Sequence, residues 1–360
     1  MSRVRLKPLH EQVILITGAS SGIGLATARL AARRGARVFL VARGGQALAD
    51  AAADIRASGG EADHAEADVG DREALERAFD ACTARFGRID TVVGDAGVAI
   101  YSDLLATPRD AHERLFRTNY WGAVNTAELA VPRLRASGGG ALVIVGSIAS
   151  VMASPVMGAY AATKHAVRGY VDSLRIELNR DKVPVSVTLI KPAGIATPLD
   201  DHADVELHGA GKIPPPLYAP EVVAAAILRA AVRPFREITV GGAGEAQVLF
   251  ATHFPGLFSK LAGGITPALT DRGRAAAPDN LEAPTDGGDV HSRREGSGRS
   301  FSAYTAATTH PGLALAATLA VGLAAAAAMG AARRRSRSPA ASWLADRRHD
   351  VKTLGRRLHR

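Results

Sequence analysis

Residues 13–24, VILITGASSGIG, hold the step on which the rest of the reading depends. A short apolar run, too brief for a helix, gives way to a turn with glycines at 18, 22 and 24, and the turn opens into LATARLAARR, whose apolar residues recur at helical spacing. Strand, glycine turn and helix in that order bring backbone N–H groups and a helix N-terminus up to an anion. Gly18, Gly22 and Gly24, with Ser20, Ser21 and Ile23 between them, are therefore candidates for holding a phosphate, because a Cβ there would keep the ligand away.

The same alternation continues outward to about residue 241. Strands are predicted at 13–17, 36–41, 61–67, 89–93, 140–145, 185–190 and 237–240, and helices at 22–35, 46–58, 71–86, 107–136, 158–181 and 219–233. Most of these strands are apolar without alternation, as expected when helices cover both faces of a sheet. The third, EADHAEA, is polar enough to sit nearer an edge. Repeated βα units predict a doubly wound parallel α/β sheet of about seven strands, a Rossmann-type fold.

The chain has 360 residues, of which 47% are hydrophobic and 22% charged, enough for a substantial core. Its net charge is +9, but residues 331–360 carry ten Lys and Arg against two Asp, so the body is nearly neutral. A basic groove for nucleic acid is thereby excluded from the body, and the tail, with Trp343 its sole aromatic, is poorly suited to stacking on bases. Cys82 is the only cysteine, which rules out an intramolecular disulfide; the eleven histidines show no ligand spacing, and no metal is implied. The N-terminal apolar run is too short for a signal peptide and leads straight into the glycine turn, so a cytoplasmic location is expected.

In GSIASVMASPVMGAYAATK, Ser147 is followed thirteen residues later by Tyr160 and four further on by Lys164. At i and i+4, Tyr160 and Lys164 share a helix face. A phenol that titrates near 10 needs a neighbouring cation before it can work as a base at neutral pH, and Lys164 supplies that charge.

A glycine loop spaced GxxxGxG followed by Ser, YxxxK in this order resembles the short-chain dehydrogenase/reductase family over roughly residues 10–245. The resemblance implies an enzyme that moves hydride between a nicotinamide cofactor and a carbonyl or alcohol carbon of a small-molecule substrate. Tyr160 would exchange a proton with the substrate oxygen, Ser147 would hydrogen-bond that oxygen, Lys164 would also hold the nicotinamide ribose, and Asn119 would anchor a water linked to the lysine. Asp68 and Val69 match the adenine-contacting pair, while Pro192 and Thr197 match the segment facing the carboxamide, with one residue inserted before Gly194. Where NAD-selective relatives carry a carboxylate after the second strand, this chain reads Ala42-Arg43. Arg43 can pair with a 2′-phosphate, so NADP(H) is the expected cofactor. The family's Asn-Asn-Ala-Gly is here Gly94-Asp95-Ala96-Gly97, and an ionised Asp95 can accept hydrogen bonds but not donate them. A homo-oligomer, dimer or tetramer, is implied by the resemblance as well. The alternative reading is a scaffold that binds NADP(H) and turns nothing over.

The expected organisation is a catalytic domain over 8–245, an extension packing on or near it over 246–270, a disordered linker over 271–310, an apolar Ala-rich helix over 311–332 and a basic tail over 333–360. Residues 311–332 carry no charge and would reach about 33 Å as a helix, long enough for a bilayer. About half of them are Ala, however, and the arginines that follow would put the body on the wrong side of the membrane for NADPH. Lying on an anionic membrane surface, a hairpin, or no membrane contact at all remain as the readings of that segment.

Overall fold

The computed structural model describes residues 4–312 except 200–202, 206–209, 212, 214, 272–279, 282, 285–286 and 295. Residues 1–305 form one unit; of a second unit, 306–360, only 306–312 are described, and these include the end of the short helix Ala303–Thr309.

Seven strands form one parallel sheet: β1 (Val13–Thr17), β2 (Arg37–Ala42), β3 (Ala62–Glu66), β4 (Thr91–Gly94), β5 (Gly140–Val145), β6 (Val185–Pro192) and β7 (Glu237–Val240). Their spatial order is β3-β2-β1-β4-β5-β6-β7. The polar third strand lies at one edge, as its composition predicts. The helices are α1 (Gly22–Arg33), α2 (Gly45–Ala57), α3 (Arg72–Phe86), α4 (Arg109–Phe116), α5 (Gly122–Ala136), α6 (Gly158–Arg180), α7 (Pro220–Val232), α8 (Gly242–His253) and α9 (Pro255–Ile265). Ile14 and Ile16 of β1 join a core layer with Leu25 and Ile227 on one side of the sheet. Val13 and Leu15 join Phe79, Leu134 and Val171 on the other. Both faces of each central strand are covered, which is why the strands read as unbroken apolar runs.

The stretch expected as one helix over 107–136 is three pieces. A π-helical segment, Arg117–Trp121, separates α4 from α5 and carries Asn119. Gly122 follows it because the backbone there presses on Val69: a Cβ would lie 2.5 Å from that side chain. Cys82 is fully buried on α3, a small apolar core residue whose thiol is pushed up to about 12, chiefly by burial.

The chain runs outward from β1 to β2 and β3, then crosses back to β4 on the other side of β1. At such a switch point the loops after the strands diverge and leave a crevice at the carboxyl edge of the sheet.

Candidate active site

Of the candidate catalytic and cofactor-binding residues, all but Gly24 and Asn119 border a single cavity of about 500 Å³ at that carboxyl edge. The cavity runs from Arg43 and Asp68, past Ser20, Ser21 and Gly22, to Ser147, Tyr160 and Lys164.

The glycine loop is shaped by close backbone approach. Gly18 has φ +71°, and a Cβ on it would meet the Ala96 backbone at 2.8 Å; one on Gly24 would lie 2.3 Å from the Gly18 carbonyl oxygen. The loop therefore lies directly against the end of β4. Thr17 ties the two together, its Oγ1 accepting from the amides of Asp95 at 3.2 Å and Ala96 at 3.4 Å. Thr197, buried, packs on the other side of the loop, with its side chain 3.5 Å from where a Gly22 Cβ would be. Asp68 Oδ1 accepts from the Gly70 amide at 2.8 Å, and the Val69 carbonyl accepts from Asn125 at 2.9 Å, which fixes the turn after β3.

At the other end, Tyr160 and Lys164 lie on the first turns of α6, both buried, with Lys164 Nζ 5.6 Å from the Tyr160 ring centre. Nζ donates to the Val145 carbonyl oxygen at 3.0 Å. Ser147 caps a short 3₁₀ turn, Ile148–Ser150: its Oγ accepts from the Ala149 amide at 3.1 Å, and the Ser147 amide donates to Ser150 Oγ at 3.2 Å. Both bonds fix the serine's place at the mouth of β5 and leave its own O–H to donate. Asn119 is buried behind Gly97. It exchanges hydrogen bonds with Val98 at 2.9 Å in both directions and donates to Thr163 at 3.1 Å. A Cβ on Gly97 would stand 3.4 Å from Asn119 Oδ1 and 3.7 Å from Lys164 Nζ, so the missing side chain keeps the space between those two groups open.

Asp95 adds a feature that its position in the sequence could not disclose. Burial pushes its carboxyl up to about 7, although Lys164 nearby and the Gly24 amide, which donates to it, both favour the ionised form. Burial likewise pulls the Lys164 ammonium down to about 8, against the pull of Asp95. Two buried groups of opposite charge thus titrate close to neutrality at the junction of the glycine loop and the Tyr160 end.

Sequence reading also missed the wall beyond Tyr160, where Met152, Met157, Leu199, Phe250, Phe258 and Leu269 line the cavity. Phe250 and Phe258 meet edge to face at 6.3 Å between α8 and α9. The four charged residues lining the cavity, among the described residues, are Arg43, Asp68, Asp95 and Lys164, all on the dinucleotide side or at Tyr160. Among the described residues no group of His, Cys, Asp and Glu side chains could hold a metal ion, and no helix is long and apolar enough to cross a membrane; residues 313–332 lie outside them.

The dimensions and donors fit a nicotinamide dinucleotide: a long cavity crosses the N-terminal end of α1 and reaches a buried Tyr–Lys pair. A family profile described as short chain dehydrogenase matches residues 12–206. An uncharacterized oxidoreductase of Bacillus subtilis, YxnA, is 38% identical over 319 residues, covering 86% of this chain and 88% of its own length. That share is about 310 residues here, so at least some 40 of the aligned residues fall after residue 270. An alcohol dehydrogenase from the archaeon Thermococcus sibiricus, solved with 5-hydroxy-NADP, is 27% identical with a TM-score of 0.56 and covers 64% of this chain and 95% of its own. A short chain dehydrogenase/reductase from Burkholderia phymatum, solved with NAD, shares the fold at a TM-score of 0.62 and 22% identity, covering 78% of this chain and 99% of its own. The chain is an oxidoreductase of the short-chain dehydrogenase family.

Proposed function

We propose that the chain interconverts a carbonyl and an alcohol with NADP(H), with Tyr160 exchanging the proton on the substrate oxygen. The observation that carries this reading is the convergence of Ser147, Tyr160 and Lys164 on the cavity that begins at the glycine loop. When bound, the nicotinamide supplies or accepts the hydride. The protein's own residues do the rest: Ser147 donates its O–H to the substrate oxygen, and Tyr160 gives up or takes the proton there. Lys164, held by the Val145 carbonyl, favours the phenolate by its charge. Asn119, across the gap left by Gly97, positions the lysine's route to solvent. Arg43 would bind the 2′-phosphate that distinguishes NADP(H), with Asp68 and Val69 beside the adenine and Pro192 and Thr197 beside the carboxamide.

The apolar wall of Met152, Met157, Phe250 and Phe258 favours a substrate with a sizeable apolar body, since no charged residue described there would recognise a charged one. Assembly into a dimer or tetramer belongs to the same reading. The competing scaffold reading draws on Asp95, a carboxylate at the glycine loop that would oppose a pyrophosphate when ionised.

A screen of NADPH oxidation against apolar aldehydes and ketones, with Tyr160→Phe as control, separates the two. Turnover lost by roughly a hundredfold or more in the variant, with NADPH affinity kept, supports the enzyme. NADPH binding with no turnover of any carbonyl would leave the scaffold.

A further inference from the structure

The described residues between 280 and 299 lie along the rim of the dinucleotide cleft, although their composition gives little reason for them to pack. They dock by backbone. Arg43 donates to the Asn280 carbonyl oxygen at 2.5 Å and to that of Leu281 at 3.3 Å. The Gly288 amide donates to the Ser20 carbonyl oxygen at 2.8 Å, and the Gly22 amide donates to that of Asp289 at 2.9 Å. Further along, the Ser292 amide donates to the Ala196 carbonyl oxygen at 3.1 Å, and Arg299 exchanges backbone hydrogen bonds with Leu217 and Ala219.

Two glycines make the fit. A Cβ on Gly287 would lie 2.6 Å from Ala47 Cβ and 3.0 Å from the Ser20 carbonyl oxygen. One on Gly298, at φ +67°, would lie 2.7 Å from the Tyr218 backbone. Leu281 supplies the apolar anchor, buried in the cluster that also holds Tyr101 and Tyr160. Asn280, Pro284 and Gly287 border the cavity alongside Ser20, Arg43 and Gly44.

The geometry points to a strap that roofs the phosphate and adenosine half of the dinucleotide site and that a dinucleotide must displace to enter or leave. This rests on the reading of the cavity as a dinucleotide site. Arg43 is the joint. A guanidinium has five N–H donors, and two of them serve the strap, so the same side chain can hold strap and phosphate together. The strap thereby sets the rate of cofactor exchange, and a 2′-phosphate on Arg43 favours the closed arrangement. The B. subtilis relative aligns well past residue 270, as it must if this stretch belongs to the working enzyme.

The test is a reversible tether in the full chain, Ala47→Cys with Gly287→Cys. The two Cβ positions are closer than the ~3.8 Å of a disulfide, so the strap at position 287 need back away only about 1 Å for the bond to form. The natural Cys82 is buried and does not compete. NADPH is bound first, the pair is oxidised, and release into excess unbound NADP⁺ is followed by fluorescence, then repeated after reduction. Release from the oxidised form is expected to be roughly tenfold slower or more than from the reduced form of the same protein. Equal rates, with the disulfide verified by mass, would overturn the proposal, and so would failure of the pair to oxidise. Should the double variant fail to fold, hydrogen exchange on the unmodified chain decides: the Gly288 amide should exchange more slowly with NADPH present, and unchanged exchange refutes the strap. If the unmodified chain bound no dinucleotide at all, the reading of the cavity would fall, and the strap with it.

Discussion

Asp95→Asn perturbs the site where the chain departs from its family, and its effect can be worked out with sign. In the unfolded chain the carboxyl titrates at 3.8; in the fold, burial raises it to about 7. The folded state therefore holds the proton more tightly. Stability from this group is full below 3.8 and is lost as pH rises through about 7. Three pH units at 1.36 kcal/mol each make the whole loss about 4 kcal/mol. Between pH 5.5 and 8.5 about half of it falls due, roughly 2 kcal/mol, because at 5.5 the unfolded carboxyl is already ionised and the folded one is not. The variant has no such term, and its amide can still accept from Gly24. Melting followed by calorimetry across that range, without cofactor, should show the variant gaining on the parent by on the order of 4–8 °C, somewhat less for a chain of this length. Catalysis offers a second readout, since the alkaline limb of kcat/KM should move to lower pH. Melting curves that run parallel from pH 5.5 to 8.5 would refute the placing of a neutral carboxyl at that site.

Arg43→Ala should weaken NADPH by roughly tenfold or more and NADH far less, because the guanidinium would pair with a phosphate only the former carries; fluorescence titration of both cofactors reads it, and equal losses would tell against NADP(H). Asp90→Ala should be among the most destabilising changes in the chain, by about 3 kcal/mol or more on denaturant melting, because the buried carboxylate accepts from the Val13 amide at 2.9 Å and pairs with Lys7 at 2.8 Å and Arg88 at 2.7 Å. A chain ended at 312 should keep fold, turnover and cofactor retention while losing any sedimentation with anionic vesicles at low salt; one ended at 270 should lose cofactor retention as well, and equal behaviour of the two would argue against a role for 280–299.

The fold was legible because its signals are local. Most strands were apolar runs with no alternation, the polar third strand at the edge excepted, and the structure gives the cause in β1, where Ile14 and Ile16 go to one helical layer and Val13 and Leu15 to the other. The outline of the site was legible for the same reason. The glycine turn, the serine after β5 and the Tyr–Lys pair on α6 each follow a strand of one parallel sheet, so the topology delivers them to one edge whatever the substrate. Asn119 was found by its motif, but the helix read across it was wrong in kind: the π turn at Arg117–Trp121 leaves no trace in apolar spacing, because it alters the pitch for one turn and the pattern resumes.

Titration and docking were not legible, and for a common physical reason. Asp95 was visible as a missing amide, yet a carboxyl's titration depends on what surrounds it in space, and Lys164, its counter-charge, is far along the chain. The stretch after 270 looked unable to pack because packing was judged by apolar area. What holds the described residues between 280 and 299, apart from the buried Leu281, is mainly main-chain amides and carbonyls, possessed by every sequence, with glycine at the positions where a side chain would forbid contact. Glycine and proline enrichment is thus ambiguous between a chain too polar to fold alone and one shaped to lie on another surface. The distinction lies in the receiving surface: here Arg43 and the Gly22 amide at the N-terminus of α1 present N–H donors that would bind a phosphate or a backbone carbonyl equally well, while the Ser20 carbonyl receives the Gly288 amide.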